Sequence, residues 1–456
     1  MTTTTLKQSS QSQTANQDFG TIKALMRNIL PFLILCYIVQ FIDRVNIGFA
    51  ASHMNKDLGL SATVYGFGAG IFAIGYLLFE VPSNLILARI GARIWIARIL
   101  ITWGLVSACF AFVQGETSFV ILRFLLGVAE AGFFPGILLY LSNWFPRRAI
   151  ARANTTVILG LPVAVLIGAP LSSWLISVSH GMFNITGWRW MFLIEGGAAV
   201  VIGVIAYFKL TDDMDGARFL NADQKAWLRQ KIDSEREIRE RIRTYTVLES
   251  LTNPKVLILA FAILLNITSL FGITMWMPLV IQEIGHLSAA KSNLMTALPY
   301  LCAGVVMFLN SRHSDMVGER RFHILIPAII GGLGFVLTVA TGSTVVSIIG
   351  LCLAATGILS SNVLFWGVPS MFLSGAAAAA GIALVNSIGN LGGFVGPYIT
   401  GVAKDAFGTQ VAGMYILAGF VISYGILMFI YLSVQARKDV MTASSAGLSG
   451  SIAPEL

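Results

Sequence analysis

The sequence predicts an all-α membrane protein of twelve transmembrane helices arranged as two pseudo-symmetric six-helix halves. Three observations carry this. Apolar residues make up 56% of the 456 positions and charged residues only 11%, where a soluble domain carries about 25% charged residues. The apolar residues gather into runs at least as long as the ~20 residues that a helix needs to cross a bilayer core, and the mean hydropathy of the whole chain is +0.78. Finally, two patterns recur in the second half at one offset of 227 positions. Ala88, Arg89, Gly91 and Arg93 are followed by Asp315, Met316, Gly318 and Arg320, and Pro170 in LIGAP by Pro397 in FVGP. Two coincidences at one offset point to an internal duplication, the architecture of carriers whose halves rock about a midplane site.

Taken in order, residues 1–27 read as a Thr-, Ser- and Gln-rich cytoplasmic tail without the apolar core of a cleaved signal. The first six spans lie near 28–51, 62–87, 94–114, 117–141, 151–178 and 188–210, and together form an N-terminal half over 28–210. A polar linker over 211–253 follows, containing NADQKAWLRQKIDSEREIRERIR. Charges at helical spacing make that stretch a solvated amphipathic helix, with Asn221 as its N-cap and Gln224 as the reciprocal partner of a capping box. Six more spans near 254–282, 291–311, 322–342, 345–372, 377–402 and 411–434 form a C-terminal half over 254–434. The Ser- and Gly-rich residues 435–456 read as a disordered cytoplasmic tail.

Of 30 Lys and Arg residues, most fall in segments that share one side of the membrane, among them Lys23, Arg27, Arg89, Arg93, Arg147, Arg148, Arg152, Arg312, Arg320, Arg321 and Arg437. The opposite loops hold little beyond Lys56, Arg189, Lys291 and Lys404. This bias places both termini in the cytoplasm, in a multi-pass protein of the cell inner membrane. The same scatter over short loops speaks against a nucleic-acid partner. Cys36, Cys109, Cys302 and Cys352 lie in apolar runs without metal-ligand spacing and read as small buried hydrophobes rather than a disulfide or metal site. No phosphate-binding loop of the Gly-Lys-Ser/Thr kind is present. The expectation is therefore no enzyme, no cofactor and no metal, with the lipid bilayer as surroundings and a monomer as the unit.

Among the charges inside apolar segments, four stand out as two acid–base sets: Asp43 and Arg44 in the first span, Arg123 and Glu130 in the fourth. Each costs roughly 2.5–3.5 kcal/mol at membrane depth on insertion scales, so such groups pair inside the bundle or line a watery cavity. Arg123, Gly127 and Glu130 stand at i, i+4 and i+7, on one helix face, and Gly127 allows close approach of a neighbouring helix. Burial favours the neutral carboxyl and a neighbouring guanidinium the ionised one, so Asp43 and Glu130 can be poised to take up protons. Protonation then releases an arginine for a substrate carboxylate. The bland alternative is fixed ion pairs that join helices, though buried pairs are weak stabilisers. Glu80, one turn from Tyr76, reads either as a cavity acid or as a hydrogen-bonding structural group. Glu195 reads as a capping or packing acid near Arg189.

Several segments carry a resemblance: FIDRVNIGFA at 41–50, EVPSNLIL at 80–87, LRFLLGVAEAGFFPGILLYL at 122–141, SRHSD at 311–315 and NSIGNLGGFVGPYITG at 386–401. With the six-plus-six arrangement, they resemble the major facilitator superfamily and, within it, the anion:cation symporter family, nearest the tartrate, phthalate and hydroxyphenylacetate permease group. The superfamily's loop motif, approximately G-x-x-x-D-R-x-G-R, is altered here by Asn84, Ala88 and Met316, which implies a weaker loop latch with its arginines retained. The resemblance implies the major facilitator fold and proton-coupled uptake of a small organic anion. It implies proton coupling at Asp43 and Glu130, and anion binding or coupling at Arg44 and Arg123, leaving open which arginine does which. It also implies that Tyr76, Trp366 and Asn386 line the substrate cavity. A Trp near a helix end is otherwise an interfacial anchor. Asn390 joins Asn386 as a neutral hydrogen-bonding residue of the eleventh span. Where sugar-acid carriers of this family use polar side chains, Phe41, Leu161, Val363 and Phe365 make an apolar wall, favouring an aromatic carboxylate or a tartrate-like diacid over a sugar acid. An anion exchanger or uniporter of the same fold is the alternative.

Overall fold

The computed structural model describes residues 19–240, 253–369 and 375–445. In the first half, α1 (Leu30–Leu58) is followed by α2 (Ala62–Ile90) and α3 (Ala92–Ala108), and then by α4 (Glu116–Glu130) and α5 (Phe133–Trp144), which together make the fourth span. The fifth is α6 (Arg147–Ile158) with α7 (Gly160–Val178), and the sixth is α8 (Gly187–Lys209). The amphipathic helix α9 (Ala222–Glu240) leads to the second half. There α10 (Pro254–Gly285) is followed by α11 (Ala289–Met295) with α12 (Ala297–Val317), α13 (Arg321–Ala340), α14 (Thr344–Phe365), α15 (Gly375–Asn390) with α16 (Gly392–Phe407), and α17 (Val411–Ser445). Eleven helices among the described residues are long and apolar enough to cross a membrane, and α15 with α16 supplies the twelfth span.

Local chemistry explains the boundaries. Ser61 caps α2 by accepting from Val64 N–H at 3.2 Å, and Asn253 caps α10 with Pro254 at the first helical position, where a missing N–H costs nothing. At α9 the expected capping box forms: Gln224 N–H donates to Asn221 Oδ1 at 2.8 Å and Asn221 N–H to Gln224 Oε1 at 3.1 Å. Residues 241–252 of the linker lie outside the described residues.

Two helix ends differ from expectation. Helical structure begins at Phe19, within the expected tail, because Leu25 and Ile29 bury against the core and extend the stripe of α1. At the other end α17 runs to Ser445, where disorder was expected from residue 435. Continuing a formed helix costs far less than starting one, so α17 extends past its apolar span. Cysteine burial is also corrected. Cys36 is buried, but Cys109 is exposed and Cys302 and Cys352 are half-buried, all as free thiols. On a span, the outer face is as acceptable to a small apolar group as the core, since lipid tails are as apolar as the interior.

The halves pack with the reciprocity of a duplication. Span 2 (α2) lies on span 11 (α16), and span 8 (α12), the repeat counterpart of span 2, lies on span 5 (α7). Spans 5 and 11 are each interrupted once and carry the paired prolines Pro170 and Pro397 inside helix. The seam is tightest at the end away from the chain termini. There Ala62 and Thr63 N–H groups donate to the Asp405 carboxylate at 3.2 and 2.7 Å, Tyr65 Oη donates to the Met275 carbonyl at 2.8 Å, and Asn293 Nδ2 donates to the Phe49 carbonyl at 3.0 Å. Gly70 of α2 lies against the Phe394 backbone, where a Cβ would meet the carbonyl at 2.7 Å. Towards the termini, Asn386 Nδ2 reaches Glu80 Oε1 across the seam at 3.4 Å. The chain after α8 is tied back as well: Asp212 Oδ1 accepts from Arg93 N–H at 2.9 Å, so an acid from the linker caps α3.

Candidate functional site

The site forms where the fourth span breaks. Glu130 is the last residue of α4; Ala131 takes an extended ψ and Gly132 a left-handed φ of 84° before α5 begins. Pro135, in the first turn of α5, has no N–H to continue the ladder, and Gly132 takes the positive φ that other residues resist. The break leaves Glu130 at a helix end facing α1. Gly127, one turn earlier, lies so close to α2 that any side chain would collide with the Phe72 carbonyl, as its small size at this position predicts.

Arg44 Nη2 lies 2.7 Å from Glu130 Oε1, and Gln40 Nε2 donates to the same oxygen. Glu130 is fully buried, whereas Arg44 keeps 17% of its side chain exposed. The guanidinium stands 4.9 Å from the Phe72 ring centre and 5.1 Å from that of Tyr76, a cation–π arrangement. A narrow open cavity is lined by Arg44, Ala69, Phe72, Ala73 and Tyr76 from the first half and Phe271, Met275, Asn390 and Gly393 from the second. It lies between the halves, with a cation on one wall and aromatic and thioether groups on the others.

The remaining charges are not paired as a simple quartet. Arg123 is 1% exposed and donates through Nε to the Gly68 carbonyl at 3.2 Å and through Nη2 to that of Ala69 at 3.0 Å, while its Nη1 has no partner. Its guanidinium lies 5.1 Å from the Phe72 ring centre, so it flanks the same ring as Arg44 but does not line the cavity. Asp43, one residue from Arg44 and thus turned about 100° around α1, accepts from Ser107 and, at 3.3 Å, from Asn46 Nδ2. Glu195 is not with Arg189. Six residues separate them, which puts them on different faces of α8. Arg189 Nη1 donates to the Ala111 carbonyl at 2.6 Å, while Glu195 accepts from Asn46 at 2.9 Å and Ser172 at 2.7 Å.

Of the other expected residues, Tyr76 and Asn390 line the cavity and Asn386, one turn from Asn390, holds Glu80. Trp366 follows the end of α14, is 36% exposed, and meets the Phe365 ring edge-on at 5.5 Å. Phe365 itself is fully buried and packs towards Tyr424 of α17. Phe41 is buried against Tyr37, and Leu161 and Val363 are half-buried against the core. None of these four is among the residues lining the cavity. Its apolar surface comes instead from Phe72, Phe271 and Met275. Sequence patterning offered no reason to choose these three from the many apolar residues of their spans.

A model of the Major Facilitator Superfamily matches residues 33–397. The chain belongs to the major facilitator superfamily. It is therefore a multi-pass membrane transporter and not an enzyme. Among relatives, an Agrobacterium vitis protein named "Putative tartrate transporter" is 46% identical over 419 residues, covering 91% of this chain and 96% of that one. An Acinetobacter baumannii protein named "Quinolone resistance transporter" is 37% identical with the same coverage of 91% and 96%, so superfamily members of similar length bear names that refer to different cargoes. Among solved structures, the xylose transporter XylE of Escherichia coli, in a partially occluded inward-open conformation, aligns with a TM-score of 0.68 at 14% identity, over 89% of this chain and 97% of that one. That likeness concerns the fold alone.

Proposed function

We propose that this superfamily member is a secondary active symporter that brings a small organic anion into the cell together with a proton. The observation that carries the reading is the Arg44–Glu130 pair at the cavity wall, 2.7 Å apart, with the arginine facing the cavity and the acid buried behind it. While Glu130 is ionised, Arg44 is neutralised from within. Once Glu130 takes a proton, the guanidinium is left without a counter-charge in a low-dielectric cavity, where a substrate carboxylate supplies it. Proton and anion thus enter the site together, and the net charge of the pair with its cargo stays low enough for the halves to rock.

Arg44 is assigned the substrate carboxylate because it lines the cavity, and Arg123, behind Phe72, the role of holding positive potential beside the site. Asp43 and Glu130 are the proton-coupling acids. Tyr76, Asn386 and Asn390 supply hydrogen bonds, with Glu80 held by Asn386 until a substrate hydroxyl competes for it. The cargo class is an aromatic carboxylate, a tartrate-like hydroxydicarboxylate or a sugar acid. The name of the Agrobacterium vitis relative and the resemblance to anion:cation symporters favour the first two. The seam, closed away from the termini, fits an inward-facing state of a monomer in the inner membrane, with both termini, the 1–27 and 435–456 tails and the 211–253 linker cytoplasmic and the halves 28–210 and 254–434 moving as bodies.

Proteoliposomes with an imposed inward proton gradient test this with labelled tartrate, phthalate and hydroxyphenylacetate. Accumulation above equilibrium of at least one is expected. Accumulation of these anions only against a preloaded counter-anion would replace symport by exchange.

A further inference from the structure

Glu195 and Asp43 share one amide. Asn46 Nδ2 lies 2.9 Å from Glu195 Oε2 and 3.3 Å from Asp43 Oδ1. Ser172 Oγ donates to Glu195 Oε1 at 2.7 Å and Ser107 Oγ donates to Asp43 Oδ1. All five side chains, drawn from α1, α3, α7 and α8, are at least nine-tenths buried, and no lysine or arginine makes an ion pair with either carboxylate among the described residues. Asp43 Oδ2 and Asn46 Oδ1 are buried without a partner.

Two ionised carboxylates held by neutral donors alone repel each other strongly in a medium of low dielectric. The groups that act on them do not remove this conflict. Glu195 feels Asp43 from α1, Asp43 feels Glu130 and Arg123 from α4, and α3 and α7 present the hydroxyls of Ser107 and Ser172. A proton resolves it.

We propose that Asp43 and Glu195 hold one proton between them across Asn46, so that Glu195 is a third proton-binding acid beside Asp43 and Glu130, inside the N-terminal half and off the substrate cavity. Uptake forms one O–H bond on one carboxyl oxygen and takes the cluster from two negative charges to one. Glu195 is eight residues from the start of α8, about 12 Å from the end of the bundle away from the termini, whereas Asp43 is fifteen residues, about 22 Å, from the matching end of α1. Glu195 therefore stands on the side of Asp43 from which an inward-moving proton arrives. Its part in transport rests on the symport reading; its holding of a proton does not.

Infrared difference spectra of the lipid-reconstituted protein, recorded through a pH titration, read the carbonyl stretch of a buried protonated carboxyl. The wild type is expected to show such a band, and Glu195→Gln and Asp43→Asn each to move its titration midpoint by one pH unit or more, because each removes one holder of the shared proton. Folding of the variants is checked by circular dichroism and monodispersity, and Ser172→Ala, which deletes one donor to Glu195, gives a second measurement through a smaller shift of the same band. A band whose midpoint is unchanged in Glu195→Gln and Ser172→Ala would overturn the proposal and leave Glu195 as a hydrogen-bond acceptor. If the band shifts as expected while substrate moves no protons, the symport reading fails and the shared proton stands.

Discussion

Arg44 and Glu130 join α1 to the broken end of α4 by a 2.7 Å contact between guanidinium and carboxylate. Gln40 reinforces the carboxylate one turn away. The acid lies in the protein interior and the base at the cavity, so a change in the protonation of one alters the charge presented by the other.

The coupling role of this contact is tested by Glu130→Gln. A glutamine can donate or accept a hydrogen bond but cannot release a proton, so gradient-driven accumulation should fall to background. Counterflow of labelled substrate, which needs no net proton movement, should survive at a substantial fraction of the wild-type rate. Asp43→Asn should behave alike. Wild-type accumulation in both variants would show that neither acid couples.

Anion capture is tested by Arg44→Lys. The charge remains but the planar fork for a carboxylate is lost, so substrate affinity should weaken about tenfold, or ~1.4 kcal/mol. Arg123→Lys should weaken affinity less, since Arg123 does not line the cavity, and should cost thermal stability through its lost contacts with the Gly68 and Ala69 carbonyls. Isothermal titration and melting curves separate the two effects.

Selectivity should follow the residues that line the cavity. Phe271→Ser or Met275→Ser introduces a hydroxyl into its apolar wall and should raise competition by hexonates relative to phthalate. Phe365→Ser, at a fully buried position away from the lining, should lower the melting temperature by several degrees without changing the order of competitors. A changed order in Phe365→Ser alone would return the pocket to α14.

The seam away from the termini should be sensitive to Asp405. Partial burial pushes its carboxyl upward, but hydrogen bonds from the Thr63 side chain and N–H, the Ala62 N–H and Ser61 outweigh this and hold it below the usual carboxylate range. Its contribution to closure is therefore fully present above the ordinary carboxylate pKa and is lost as pH falls through the lowered value. Asp405→Ala should favour the state open on that side. With the native cysteines replaced and Ala69→Cys introduced at the cavity, an impermeant thiol reagent applied from that side should then label several times faster.

Close packing at Gly127 predicts that Gly127→Ala costs about 1–3 kcal/mol, the range for overpacking, because the added methyl meets the Phe72 carbonyl. Melting of the detergent-solubilised protein measures it.

The fold was legible because apolar runs of bilayer length and the capping signal at Asn221 act locally, and the offset of 227 positions shows directly in the sequence. The charges of the site were legible for a related reason: Asp43, Arg44, Arg123 and Glu130 stand out against apolar spans. What could not be read was how they pair, since that depends on which way each helix faces its neighbours. The turn of about 100° between Asp43 and Arg44 sends one to Ser107 and Asn46 and the other to Glu130, and Glu195 joins Asp43 only because α1 and α8 cross beside Asn46. The cavity's apolar wall was hidden most deeply. Phe72, Phe271 and Met275 have the composition of any buried span residue, and only the packing of the two halves distinguishes them from Phe41 or Phe365.

The most direct test of proton–anion coupling is the pH change outside lightly buffered proteoliposomes when substrate is added without an imposed gradient. Wild-type protein should make the outer medium more alkaline as tartrate or an aromatic carboxylate enters, with the signal abolished in Glu130→Gln. Entry of labelled substrate at the wild-type rate with no accompanying pH change would contradict the account.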